Sequence, residues 1–186
     1  MFIKQSLPIC RRAALMLSGA TLVFLFSACS PRFNWRQVQG NDAPFSVLMP
    51  AKPSTFSRPI DLNGIKVSMT MTATEIDGVV FAVGSARLTD PAQASTALQA
   101  MKTALVNNIN GSIKSESAHV VAGNAQATSA ITLEAVGPPE NGSQPKALFA
   151  HLEARGQYIY QAIVIGPQKN ITSENVEMFL QSFKAT

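Results

Sequence analysis

The chain has 186 residues, with 15 Lys and Arg against 11 Asp and Glu and only two cysteines. Its formal charge of +4 overstates the basicity of the folding part, because Lys4, Arg11 and Arg12 sit ahead of an apolar run that reads as a removable leader. Without those three, 12 basic residues face 11 acidic ones, which removes the electrostatic argument for nucleic-acid binding, and no fixed-period repeat points to a solenoid or propeller.

The apolar run from Ala13 to Phe26 covers 14 residues and is interrupted by Ser18, Gly19 and Thr21. A helix needs about 20 apolar residues to cross a bilayer core, so a cleaved signal over residues 1–28 is expected. An uncleaved single span is the alternative. Basic residues, a short apolar stretch and small residues in that order are the layout of an export signal. Phe26-Ser27-Ala28-Cys29 resembles the bacterial lipobox, whose cysteine takes a diacylglyceryl group before the leader is cut. The resemblance implies Cys29 as the lipidated residue and Phe26, Ser27 and Ala28 as the cleavage signal, with Phe26 standing where Leu is preferred. Ser30, being other than Asp, implies sorting to the outer membrane. Arg11-Arg12 has some likeness to a twin-arginine signal, but Cys10 and Ala14 fit that motif poorly, and plain basic-region charges are the preferred reading. With Cys10 removed and Cys29 lipidated, no disulfide is available and packing must hold the fold.

Residues 29–44 are expected to hold the lipidated cysteine, a short tether and a first strand, and residues 45–186 a single domain. Trp35 has two placements, the core of that first strand, which is preferred, or an interfacial belt with Phe33, Arg32 and Arg36. From Ile65 to Glu75, apolar Ile65, Val67, Met69, Met71 and Ala73 alternate with Lys and Ser or Thr, the period of a half-buried strand. Asn63-Gly64 and Asp77-Gly78 bracket it as hairpin turns, pairing it with strands near Thr55 to Asp61 and Val79 to Leu88. Small Ala82, Gly84 and Ala86 on one face of the latter suggest a closely packed helix as cover. That helix follows: Asp90 caps it, Pro91 occupies its first turn, Ala94, Leu98, Met101, Leu105 and Ile109 form its stripe, and Asn110-Gly111 ends it.

Further strands are expected near Ser112 to Glu116, Ala125 to Val136, Lys146 to Ala154 and Tyr158 to Ile165, the last apolar at nearly every position and therefore central. Gly156 marks a tight turn, and Gly137 to Pro145 a long hairpin connection. A closing helix is capped by Thr172, stapled by Ile171 against Val176, and buries Val176, Phe179, Leu180 and Phe183. The sum is an α+β fold, an antiparallel β-sheet meander with two helices packed on it.

Phe45-Ser46-Val47-Leu48-Met49-Pro50-Ala51-Lys52-Pro53 ahead of a meander, and the ending Phe179-Leu180-Gln181-Ser182-Phe183, resemble a widespread group of bacterial, proteobacterial-type lipoproteins and exported proteins. The resemblance covers residues 34–184. At the level of fold it is similar to PsbP/Mog1-like domains, which implies a central antiparallel sheet with flanking helices and carries over no catalytic residues.

No catalytic or metal site and no cofactor is expected. His119 and His151 are the only histidines, and zinc needs three or four placed ligands; His151 reads as a half-exposed surface residue beside Phe149 and Glu153. Glu75 and Asp77 flank a turn, where acidic residues are ordinary. Neither a Gly-x-Ser-x-Gly elbow nor a phosphate-cradling Gly-x-x-x-x-Gly-Lys string occurs. Asn110, Asn141 and Asn170 match the glycosylation pattern but read better as turns. The expectation is a non-enzymatic lipoprotein in the bacterial envelope, facing the periplasm from the outer membrane, whose partners are membrane lipid through Cys29 and an envelope protein. Binding of a small apolar ligand or lipid is the alternative, motivated by Met69, Met71 and Met101.

Overall fold

Residues 32–121, 128–139 and 142–186 are described by the computed structural model, and the chain enters it through aromatic contacts. Phe33 and Trp35 stack at 5.9 Å, and both meet the edge of Phe81, at 6.4 and 6.2 Å. Trp35 is thus packed on the core, immediately before β1 (Arg36–Gln39). β1 pairs antiparallel with β2 (Phe45–Met49). The compact unit runs from Arg32 to Thr186, so residues 32–44 are built into the fold.

Two hairpins follow from local chemistry. Asn63 and Gly64 have φ of 58° and 90°, and Asp77 and Gly78 have 51° and 76°, the paired positive angles of a two-residue loop whose twist suits the strands it joins. They link β3 (Ser54–Leu62), β4 (Ile65–Ile76) and β5 (Val79–Arg87), with Leu62 opposite Ile65 and Ile76 opposite Val79. After β5, Asp90 Oδ1 accepts from the Ala92 amide at 2.9 Å. The first turn it caps, Pro91–Gln93, is a 3-10 turn, and α1 proper is Ala94–Asn108. Asn110, at φ 48°, turns the chain out of the helix.

The next four strands are β6 (Ser112–Val121), β7 (Thr128–Gly137), β8 (Lys146–Arg155) and β9 (Tyr158–Pro167). β6 is twice the length that its sequence suggests, because its residues 112–119 are all exposed and show no apolar period to read. Residues 125–127 of the strand expected at Ala125 to Val136 lie outside the described residues, as does Asn141; Gly137 closes β7 opposite Lys146. The chain ends with α2 (Ser173–Ser182) and β10 (Lys184–Ala185). Thr172 Oγ1 accepts from the Asn175 amide at 3.4 Å, and Ile171 packs in the same cluster as Val176, as a hydrophobic staple requires.

The fold is α+β. Seven strands form one antiparallel sheet in the order β3-β4-β5-β9-β8-β7-β6, and β1-β2-β10 form a second, smaller one. The small sheet is the addition to the expected layout, completed by β10, which pairs with β2 through Lys184 opposite Ser46. One face of the large sheet buries Ala82, Ile131, Leu148, Leu152 and Ile159 against Leu98 and Met101 of α1. The other buries Phe81, Val83, Tyr160 and Val164 against Phe45, Val47 and Met49 of the small sheet and Phe179 of α2. At Gly84 the crowding comes from the flanking strands rather than the helix: a Cβ there would lie 2.7 Å from Met71 Sδ and 2.8 Å from Gln161 Cγ. No helix among the described residues is long and apolar enough to cross a membrane.

Phe179 is fully buried and meets Phe81 edge to face at 5.5 Å. Phe179→Ala is expected to destabilise the domain by about 3–5 kcal/mol. Thermal unfolding checks this, and an unchanged midpoint would reject the packing of α2.

Candidate functional site

The densest group of chemistry-bearing side chains lies on the small-sheet face of the large sheet, and strand register puts it there. His119 in β6 stands opposite Ala130, Ala130 opposite Glu153, and Glu153 opposite Tyr160. In the next row Ser117, Thr132, His151 and Ala162 align. Because cross-strand partners share a face, these two rows bring the two histidines together. Their ring centroids are 6.3 Å apart, across the gap left by small Ala130. The sequence alone could not show this, since it depends on β7 lying between the two strands.

His151 is the hinge of the group. Its Nδ1 lies 3.3 Å from Thr132 Oγ1 and its Nε2 3.3 Å from Glu153 Oε2, while its ring lies 5.9 Å from that of Phe183. The imidazole is 18% exposed, whereas the Glu153 side chain is only 7% exposed. A carboxylate this deep needs a partner, and His151 supplies one. The histidine expected to be half-exposed at position 151 is partly exposed, with the Phe183 ring against one side.

The same face fastens the C-terminal end. The Arg155 guanidinium donates to the Ala185 carbonyl, the Thr186 amide donates to the Pro44 carbonyl at 3.1 Å, and the Tyr160 hydroxyl donates to the Pro44 carbonyl at 3.1 Å. Tyr160 is wedged between Phe45 and Phe183, at 6.3 and 5.8 Å. Burial, reinforced by Tyr158 and Glu153, pushes its phenol well above the ordinary tyrosine range. Thr132, His151 and Glu153 line up hydroxyl, imidazole and carboxylate in the order a nucleophilic site would use. Thr132 sits mid-strand, however, with β7 paired on both sides through Ser117 and His151, so the neighbouring backbone amides serve the ladders rather than an oxyanion. The arrangement is suited to holding the C-terminus against the sheet. Among the described residues, no group of three His, Cys, Asp or Glu side chains is arranged to hold a metal ion.

The other residues singled out by sequence do not join this group. Glu75 is exposed on β4, and Asp77, at the hairpin, is paired with Arg32. Asn170 Nδ2 donates to the Asp77 carbonyl at 2.8 Å. Phe26, Ser27, Ala28, Cys29 and Ser30 lie outside the described residues. Two open grooves mark the surface. One, of about 680 Å³, lies between Asp61 and Asn63 of the first hairpin and Ser95, Gln99 and Asn107 of α1. The other, of about 1070 Å³, surrounds the β8–β9 turn and includes Arg155, Tyr158, Pro44 and Thr186. No protein-family model matches the chain, and no curated protein matches it at a significant level.

The raised Tyr160 pKa has a definite sign. Above pH 10.0, the ordinary tyrosine value, the unfolded chain releases a proton that the fold retains, so Tyr160 contributes stability that is lost as pH rises. Tyr160→Phe is expected to cost about 0.5–1.5 kcal/mol at neutral pH for the hydrogen bond. It should also flatten the alkaline decline in denaturant-measured stability. An alkaline slope identical to wild type would refute the burial of this phenol.

Proposed function

We propose that the chain is a lipid-anchored lipoprotein of the bacterial envelope whose domain is a non-enzymatic interaction module facing the periplasm. The observation that carries this reading is Phe26-Ser27-Ala28-Cys29 at the end of an apolar run too short to span. The folded unit starts at Arg32, three residues after Cys29, so the domain is held close to whatever membrane receives the acyl chains. Each buried methylene contributes about 0.8 kcal/mol, and two or more chains give lasting attachment where one is marginal. Outer-membrane placement rests on Ser30 and on the general sorting pattern of lipoproteins, and membership of the lipoprotein group rests on the Phe45–Pro53 and Phe179–Phe183 segments.

The interaction role is supported by where the polar chemistry goes. Arg155 bonds the C-terminal strand, Tyr160 bonds Pro44, and His151 and Glu153 bond each other, so these groups have structural partners, which supports a reading in which the surface is the means of action. The alternative of apolar ligand binding would want a largely apolar cavity. The first groove is open and mixed, with Asn63, Ser95, Gln99 and Asn107 beside Ala100 and Ala104, which suits a partner surface better than an enclosed apolar ligand.

Cys29→Ala is expected to abolish palmitate labelling and to release the protein from the membrane fraction or leave it unprocessed. Fractionation with metabolic palmitate labelling reads both. Native protein that takes up no label, together with unchanged fractionation of the variant, would discard the anchored reading in favour of an uncleaved span.

A further inference from the structure

We infer that the β3 edge of the domain is a second, non-covalent membrane contact, in which Phe56, Lys52 and Arg58 meet an anionic phospholipid surface. This rests on the lipid-anchored reading above and adds to it a defined face. Phe56 is 51% exposed, the most open large apolar side chain among the described residues. It stands opposite Met71 of β4, and so on the face that carries α1.

The helix does not shelter it. α1 starts after the Arg87 end of β5 and delivers the chain to Ser112 at the far edge, opposite Val136, so it crosses the sheet diagonally. The corner it leaves holds Phe56 beside half-buried Met71. Arg58 is exposed two residues further along the same face of β3, and Lys52 is exposed just ahead of the strand. An aromatic ring with cations beside it suits the headgroup zone of an anionic bilayer. Of the acidic groups nearby, Asp77 is paired with Arg32, Asp61 accepts from the Gly64 amide and Asp42 accepts from Thr70 on the other face of the sheet, which leaves Glu75 against Lys52 and Arg58.

The tether enters at this end of the strands, with Phe33 and Trp35 packed on the opposite face against Phe81. The Asn34 amide donates to the Pro50 carbonyl at 2.7 Å, tying the entry of the chain to the turn that feeds β3. Cys29 precedes Arg32 by three residues, a span of at most about 10 Å. Another protein's strand is a poor occupant of the same edge, because Pro59 in the middle of β3 lacks the N–H that pairing needs. The lipid surface to which the anchor would lead is the occupant that both chain length and charge favour.

In the acylated mature chain an introduced cysteine would be the only free thiol, since Cys10 leaves with the signal and Cys29 carries lipid. Phe56→Cys and, for comparison, Ser117→Cys on β6 at the opposite edge, about 29 Å away across six strand spacings, can each carry the fluorophore NBD. The full-length lipidated protein is then placed in phosphatidylglycerol/phosphatidylethanolamine vesicles. At position 56, emission should be blue-shifted and quenched several-fold more by spin-labelled lipid than at 117, and the difference should shrink when phosphatidylglycerol is omitted or salt is raised. Equal quenching at both positions, with acyl chains on Cys29 verified by mass spectrometry, would overturn the contact and leave the anchor standing. A cross-linked dimer through position 56 would assign the edge to a second copy and overturn it as well. A Cys29 without acyl chains would overturn the anchored reading itself, and this proposal with it.

Discussion

Strand β9 is buried on both faces, and that single constraint organises the rest. Ile159 and Ile163 point into the α1 core, while Tyr160, Ala162 and Val164 point into the core under α2 and the small sheet. A strand with no solvated face cannot lie at an edge, so the chain must supply neighbours on either side and a cover above and below. β5 and β8 are the neighbours. α1 covers one face, and α2 with β1, β2 and β10 covers the other. The α1 crossover places β6 at the far edge, and successive hairpins through β7 and β8 then bring the chain back to β9 beside β5, closing the sheet without a parallel pair.

Tyr160 and Phe183 show how the second cover is secured. Helix α2 is only ten residues long, too short to be stable by its own propensity, and β10 is two residues long. Neither would persist alone. Phe179 and Val176 dock the helix, and Phe183, just past its end, turns the chain into β10 by packing on Phe45, Tyr160 and the His151 ring. Arg155 and Pro44 then take up the backbone groups of the last residues. The His151–Glu153 pair belongs to this system: removing the imidazole would strand a carboxylate beneath the C-terminal strand.

The parts of the fold that were legible in the sequence are those decided within a few residues. Asn63-Gly64, Asp77-Gly78, Asp90-Pro91 and Thr172 each act through their own turn or cap, and each acts in the structure as its local chemistry requires. The run of β9, apolar at nearly every position, correctly implied its central place. What was not legible depends on contacts distant in sequence. β10 has too few residues to show a period, and residues 112–119 of β6 are all exposed, with no buried face to impose one. Thr72 sits on the polar side of the β4 alternation yet is only 7% exposed, because that side is partly covered by the chain around the small sheet, where Asp42 accepts from the neighbouring Thr70. The convergence of His119 with His151 needed the order of three strands. The leader and Cys29 lie outside the described residues, so that reading stays an expectation from composition alone.

The two ends of the strands are chemically unlike, and the proposed anchor at Cys29 would give that difference a direction. Arg32 and the Asp77 hairpin lie at one end, while the β3–β4 hairpin at Asn63 and the β8–β9 turn at Gly156 lie at the other, separated by the length of β5, about 30 Å at the usual rise per residue. A domain tethered through Cys29 would hold the Arg32 end nearest the membrane and present the opposite end to the periplasm. The groove around Arg155, Gly156 and Tyr158 opens at that opposite end, where a partner could approach without displacing lipid. The two edges of the large sheet are blunted against casual pairing, β3 by Pro59 and β6 by the register shift between Ile113 and Ser115 with Lys114 inside it. Strand addition is thereby disfavoured on both sides, so recognition by this domain would have to use side-chain surface, and the end remote from the tether offers the larger groove.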